Sequence, residues 1–317
     1  MMLEVGKLIQ GDKRTAAKMI TLIENNGAGK EELLSQIYPH TGRAHVIGVT
    51  GSPGAGKSSL TDELIKQARK YDNKVGVVAV DPTSPISGGA LLGDRIRMQE
   101  HALDKNVFIR SMGTRGCLGG LARATKDVVK VLDAYGCNII IVETVGVGQS
   151  ELDIMHYADS TLVVLTPGGG DHIQTIKAGI MEIADIFVIN KCDLGHTKKI
   201  ITDIEQMLDM SPRFHTGWRP PVVETSVVNQ HGIDELWSTI NNHLQYAGDS
   251  GELQEAVRQR LSMEMIELAE ESLRKQLWDH FHQANGLSDI LHQMVERKTD
   301  PYTQAQKFLY DFLKERC

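Results

Sequence analysis

The run Gly51-Ser52-Pro53-Gly54-Ala55-Gly56-Lys57-Ser58 has the makings of a phosphate cradle: glycines and other small residues, then a lysine and a hydroxyl. Small residues let the backbone wrap an anion, so that amide N–H groups and the N-terminus of a following helix point at negative charge. Lys57 adds a cation toward the outer phosphates of a nucleoside triphosphate, and the Ser58 hydroxyl suits Mg2+. An apolar run at 46–50 precedes the motif and an amphipathic run beginning at Ser58 follows it, which is the strand–loop–helix setting the motif requires. Ser59, next in line, joins the residues expected around the phosphates.

A second constellation, Asn190-Lys191-Cys192-Asp193, follows the apolar run 186–189. Open α/β sheets bind ligands at the carboxyl ends of their strands, and this is such a position. A carboxylate there accepts two hydrogen bonds from the ring N–H and exocyclic amine of guanine; adenine offers no such donor pair, so Asp193 would select guanine. The Lys191 stem can lie along the base plane. Further on, Ser226-Val227-Val228 follows another strand and has the position of a loop whose backbone N–H groups face the guanine oxygen, although Ser226 equally suits a helix cap before Gly232.

Glu143 closes the apolar run 139–142 and opens Glu143-Thr144-Val145-Gly146. A carboxylate here sits where a P-loop protein keeps its Mg2+, and Gly146 can offer the terminal phosphate a backbone N–H. An ordinary strand-end carboxylate is the plainer alternative for Glu143. Asp81 ends the run 75–80, and Asp94 lies in Gly93-Asp94-Arg95; both are hard-oxygen candidates for the metal's surroundings, with a surface helix cap the simpler role for Asp94. Arg95, Arg97, Arg110 and Arg115 are all able to stabilise transferring charge, and the sequence does not choose among them.

To hold these groups the chain must place several strand ends side by side. Strands are predicted at 46–50, 75–80, 107–109, 139–143, 161–166, 186–190 and 222–225. They are rich in Val and Ile and nearly continuous in apolar character, as expected of a parallel sheet covered on both faces. Helices are predicted between them at 58–70, 120–134, 197–209 and 233–243. The alternation reads as an α/β fold, a doubly wound, mostly parallel P-loop sheet. Residues 1–43 read as a helical extension, with Asn25-Asn26-Gly27 ending a helix and Pro39 and Gly42 marking a turn. The nucleotide-binding domain then spans 44–250. From 251 to 317 the strands cease, and apolar stripes (Leu253, Val257, Leu261, Met265, Leu268, then Leu273, Leu277, Phe281) suit either packing on the core or a dimer or partner interface.

Composition narrows the classes. A net charge of −7 argues against general nucleic-acid or anionic-membrane binding. The charged N-terminus has no signal-peptide character and no apolar run is long enough to span a bilayer, so a cytoplasmic protein is expected. Cys117, Cys137, Cys192 and Cys317 form neither a CxxC pair nor a zinc-ribbon spacing and read as free thiols. A nickel-inserting GTPase would want a Cys/His cluster near the nucleotide, and none is patterned here. A kinase linked to amino-acid transport is the other alternative, and the Asn190–Asp193 motif argues against it by favouring guanine. No DxHxxG string is present to supply an axial histidine to cobalamin, so no direct cobalamin site is expected.

The segments GVTGSPGAGKSS, VAVDPTSPISGGALLGDRIRM, SMGTRGCLGGLA, IIIVETVGVGQSE, GGGDHIQTIKAGIMEIAD and INKCD, in that order, with IQGDKRTAAKMITLIENN before them, resemble the MeaB/ArgK-type P-loop GTPases. The resemblance covers nearly the whole central domain. It implies a Mg2+-dependent GTPase, a homodimer formed through helical extensions, and a chaperone of an adenosylcobalamin-dependent acyl-CoA mutase that gates cofactor loading and protects or rescues the mutase. It implies Lys57 and Ser58 at the phosphates and metal, Asp81, Asp94 and Glu143 around Mg2+ (with Lys57, Asp94 and Glu143 as the catalytic set), and Asn190, Lys191 and Asp193 at the base. It also implies a partner-sensing loop at 168–177, where Pro167-Gly-Gly-Gly suits a hinge or a plain strand-to-helix turn. The departures are small: Ser52 stands where Thr is frequent in relatives, and Ser226-Val227-Val228 replaces Ser-Ala-Leu.

Overall fold

The computed structural model describes residues 2–81, 99–101, 103–113, 118–144, 152–168, 180–210, 217–283 and 287–314. Three N-terminal helices, α1 (Met2–Ile9), α2 (Lys13–Glu24) and α3 (Lys30–Ile37), precede the first strand. The strands are β1 (His45–Gly51), β2 (Val75–Asp81), β3 (Val107–Gly113), β4 (Ile139–Glu143), β5 (Ser160–Leu165), β6 (Ile186–Asn190) and β7 (Val222–Thr225). Helices α4 (Lys57–Lys70), α5 (Leu118–Ala134), α6 (Thr197–Met210) and α7 (Ile233–Ser250) lie between or after them. Every pairing is parallel, and the strand order is β3-β2-β4-β1-β5-β6-β7. This is the doubly wound fold expected.

The continuous apolar runs follow from burial on both faces: every residue of β1, β4, β5 and β6 is buried. Ile47, Val49, Ile141 and Leu162 pack under α4 and α7 against Leu60, Leu64 and Ile240. The alternate residues, Val46, Val78, Ile140 and Val142, face α5 and the N-terminal helices. Val163, Phe187 and Ile189 lie under α6. Each fully buried Leu, Ile or Phe contributes about 1.5–3 kcal/mol by leaving water.

The N-terminal helices are tied to this frame by polar bonds. Lys30 pairs with Asp127 of α5 at 2.8 Å, and Lys13 Nζ donates to Val107 O at 2.7 Å. The Asp133 carboxylate accepts N–H bonds from Gly42 at 2.5 Å and Ala44 at 3.2 Å, fixing the entry to β1.

Strand β3 is longer than the run 107–109 suggests. It is the sheet's edge, so its outer side need not be apolar, and Arg110 and Ser111 continue it half-buried. Arg110 is ion-paired with Glu24 of α2 and its guanidinium also reaches Thr21.

The chain groups into two compact units, Met1–Leu253 and Gln254–Cys317. The second holds most of α8 (Glu252–Gln283), then α9 (Leu287–Val295) and α10 (Pro301–Lys314). Within it, Phe281 meets Phe308 edge-on at 5.4 Å, His280 packs on Phe308 and Phe312, and Phe312 is buried. Val257, Leu261, Met265, Leu268 and Leu273, the stripe noted in the sequence, are exposed along α8. Among the described residues no helix is long and apolar enough to cross a membrane.

Candidate functional site

The parallel arrangement brings Gly51, Asp81, Gly113, Glu143, Leu165, Asn190 and Thr225 to one edge of the sheet, each as the last residue of its strand. Three of the motifs picked out by composition meet there.

The glycine-rich loop leaves β1 through Gly51, at φ +134°; a Cβ here would stand 2.1 Å from Val164 O, so no side chain fits. Gly56 ends the loop at φ +86°, where a Cβ would lie 2.4 Å from Asn190 Nδ2. Helix α4 starts at Lys57 with Gly56 as its N-cap and no side-chain cap, so its first N–H groups are not turned onto a capping side chain. Lys57 is buried, and its Nζ donates to Gly51 O at 2.7 Å and Ser52 O at 3.1 Å. The ammonium is thus held inside the loop it would serve.

At the next residue of the helix, Ser58 Oγ donates to Glu143 Oε1 at 2.6 Å. Val49 of β1 lies opposite Glu143 in register, so the neighbouring strand brings this carboxylate beside the loop. Glu143 is buried. A hydroxyl and a carboxylate oxygen in contact beside a helix N-terminus form a hard-oxygen donor pair of the kind Mg2+ takes. Burial and the Ser58 bond set this strand-end carboxylate apart from one that faces water.

The base motif is bonded to the same loop. Asn190 Nδ2 donates to Ala55 O at 2.9 Å, and Lys191 Nζ donates to Gly54 O at 2.8 Å. Lys191 itself adopts φ +61°, an uncommon backbone for a residue with a side chain. The Asp193 carboxylate accepts from Ser226 Oγ at 2.6 Å. Ser226 N–H donates to His231 O, and His231 N–H returns to Ser226 O, both at 3.0 Å. These bonds bear on two readings of Ser226. Ser226 does not cap α7, whose N-cap is Gly232 without a side-chain bond. Its own N–H is also committed, so an N–H offered to a base oxygen would come from Val227 or Val228.

The sequence reading assigns no side-chain role to Thr225, Thr50 or Thr144. Thr225 Oγ1 donates to Asn190 Oδ1 at 3.2 Å and so orients the amide that grips Ala55 O. The only signal for these residues is that each adjoins a motif position.

Cys192 lies between Lys191 and Asp193. Burial first, then the Glu224 and Asp193 carboxylates, push its thiol above the ordinary range. Among the described residues no group of three or more His, Cys, Asp or Glu is arranged to hold a metal ion. Arg110, being held by Glu24, is not directed at the loop. Asp81 ends β2, with its side chain outside the described set; Asp94, Gly146, Arg95, Arg97, Arg115 and residues 169–177 of the proposed sensing loop also lie outside the described residues.

Comparison with known proteins supplies the lineage. The family model described as methylmalonyl-CoA mutase-associated GTPase MeaB matches residues 16–282. A Pyrococcus abyssi protein named as a GTPase is 48% identical over 98% of this chain and 96% of its own length. The GTPase ArgK of Escherichia coli is 39% identical over 83% of this chain and 81% of its own. A crystal structure described as LAO/AO transport system kinase superposes with a TM-score of 0.71 at 28% identity, covering 99% of this chain and 97% of the other.

Proposed function

The chain belongs to the MeaB family of methylmalonyl-CoA mutase-associated GTPases, and on that premise we propose that its GTP hydrolysis serves an adenosylcobalamin-dependent acyl-CoA mutase. In this reading the protein is a homodimeric chaperone that gates cofactor loading and protects or reactivates the mutase. The mouse methylmalonic aciduria type A homolog, 36% identical over 78% of this chain, is in keeping with that role. The exposed apolar stripe on α8 supports a dimer contact.

One observation supports the nucleotide assignment above the rest: Asn190 and Lys191 bond the carbonyls of Ala55 and Gly54. These bonds set the distance between the Asp193 carboxylate and the phosphate loop, as recognition of one nucleotide by both ends requires. Asp193, braced by Ser226, accepts from the guanine ring N–H and amine. The glycine-rich loop and the first turn of α4 donate to the phosphates, and Lys57 transfers its ammonium from loop carbonyls to phosphate oxygens. Ser58 and Glu143 would hold Mg2+, with Asp81 and Asp94 beside them; the ion supplies charge neutralisation at the phosphates. The Asn190–Asp193 motif, by suiting guanine, supports this reading over an ATP-dependent kinase.

Arg110 is committed to Glu24, so the charge of the transition state draws no help from it. Slow intrinsic turnover is expected, with a partner that orders the loops speeding it. GTP turnover measured with and without a co-encoded acyl-CoA mutase tests this. Stimulation by the mutase, with complex formation that depends on the nucleotide, is expected. No stimulation and no complex under GDP or a GTP analogue would leave a GTPase without this partner.

A further inference from the structure

The ends of β1 and β4 are joined by a side-chain contact to which the motifs assign no role. With Val49 opposite Glu143, the next pair along is Thr50 and Thr144. Thr144 N–H donates to Val49 O at 3.0 Å, and Thr144 Oγ1 donates to Thr50 Oγ1 at 3.0 Å. The two threonines are 0% and 2% exposed. Hydroxyls so deeply buried need partners, and here each serves the other.

Side chains alternate faces along a strand. Ile139 and Ile141 pack under α4, and Ile140 and Val142 pack toward α5. Glu143 continues the first set and reaches Ser58 of α4; Thr144 continues the second. The hydroxyl pair therefore lies on the face of the sheet opposite the carboxylate. It also adjoins the root of the phosphate loop, because Thr50 precedes Gly51, whose carbonyl holds Lys57.

The ladders from β4 to β1 and to β2 both end at Glu143. Beyond it, among the described residues, Thr144 is held by one backbone bond and one hydroxyl bond. A single backbone bond leaves the strand end able to roll about it. The second bond, on the far face, stops that roll. Displacement of a catalytic group by about 1 Å is enough to cost roughly a hundredfold in rate.

We propose that Thr144 is a positioning residue for the GTPase reaction, its hydroxyl bond to Thr50 fixing the end of β4 and thereby the Glu143 carboxylate against Ser58. The proposal rests on the reading of Glu143 as the carboxylate on the metal side. Thr50 and Thr144 touch no reacting atom in this scheme; they lock the phosphate loop and the Glu143 strand end to one another.

The test compares Thr144→Val, Thr144→Ser, Thr50→Val, the double valine variant and Glu143→Gln in the full chain. Four quantities are read: kcat and KM for GTP, Mn2+ affinity of the GDP complex by electron paramagnetic resonance, affinity for a fluorescent GDP, and the thermal midpoint without metal. Thr144→Val is expected to lower kcat and weaken Mn2+ by about tenfold, the usual scale for a group that orients a metal ligand. KM and GDP affinity should stay within about twofold, which also certifies the fold. Thr144→Ser, which keeps the hydroxyl, should restore both. Thr50→Val should act like Thr144→Val, and the double variant no worse than either, because all remove one bond. Wild-type kcat and Mn2+ affinity in Thr144→Val, alongside an impaired Glu143→Gln, would overturn the positioning role alone. A serine variant no better than valine would overturn it too, pointing to the methyl and packing. An unimpaired Glu143→Gln would remove the reading of Glu143 beneath it.

Discussion

The two edges of the one sheet handle polar side chains in opposite ways. At the amino edge, His45 opens β1, Ser160 opens β5, and Asp185 precedes β6. His45 Nε2 meets Ser160 Oγ at 2.9 Å, Ser160 Oγ meets His243 Nδ1 of α7 at 2.8 Å, and His243 Nε2 lies 3.5 Å from Asp185 Oδ1. Trp218 covers His243 edge-on and donates its indole N–H to Asp185 O. Both histidines and the serine are buried. At the carboxyl edge, Ser58, Glu143, Asn190, Lys191, Asp193 and Ser226 are instead bonded around a glycine-rich loop and an uncapped helix N-terminus.

The amino edge is a serine between two histidines beside an aspartate, which on residue types alone suggests a hydrolase. Burial decides against it, since a nucleophile sealed on all sides meets no substrate. The arrangement instead fixes the hydrogens. His45 Nδ1 has no hydrogen-bond partner among the described residues. A buried N–H without an acceptor is rarer than a lone pair without a donor, so the proton belongs on Nε2. His45 then donates to Ser160, Ser160 donates to His243 Nδ1, and His243 Nε2–H points at Asp185. Where polar groups satisfy one another they pin elements together; where they ring loop backbone at the carboxyl edge they are available to a ligand.

The greatest separation between the edges is expected from Lys57→Ala. It takes the ammonium from the phosphate loop, and turnover should fall by at least about a hundredfold, with the urea midpoint little changed. A GTPase assay beside an unfolding curve checks this. A variant that keeps its turnover would erase the distinction between the edges.

A smaller effect belongs to the amino edge and to acid. Burial first of all drives both His45 and His243 down from 6.5 to about 4, against the pull of Asp159 on each and of Glu252 on His243. Asp185 faces His243 as well. The unfolded chain therefore binds protons before the folded one. Stability should be complete above about pH 6.5 and decline as pH falls toward about 4, with each histidine costing on the order of 3 kcal/mol across that window. Carboxylates held low by hydrogen bonds, such as Asp12 and Asp104, lose their contribution only at more acid pH. Urea midpoints at about pH 7, 6 and 5 follow the upper part of that decline, and an unchanged midpoint would mean that the two imidazoles already accept protons in the fold.

The carboxyl edge was legible in the sequence because its chemistry is local. Gly51–Ser58 and Asn190–Asp193 are contiguous runs at strand ends, and Glu143 terminates an apolar run. The amino edge was not legible. His45, Ser160, Asp185 and His243 lie far apart in the chain, each at or near an element boundary, where polar residues are ordinary. The same limit explains Thr50 and Thr144, adjacent only once β1 and β4 are neighbours. From sequence, strand β3 ends at Ile109, because Arg110 looks like a strand end until Glu24 of a distant helix is seen to pair with it. Helix α7, predicted to end at 243, runs on to Ser250, whereas the break after Glu24 and the turn before β1 are set by local turn residues that the sequence displays.

Selection of guanine by the carboxyl edge falls to Asp193, and titration of GDP, XDP and ADP against the wild type and Asp193→Asn measures that choice most directly. Xanthine carries a carbonyl where guanine carries its amine, and an asparagine amide can donate to it while still accepting from Ser226. The wild type should prefer GDP. The variant should lose about 1–3 kcal/mol of GDP binding, roughly ten- to a hundredfold, and prefer XDP. Equal binding of ADP and GDP by the wild type, or an unaltered preference in Asp193→Asn, would contradict the assignment of this edge as a guanine-nucleotide site.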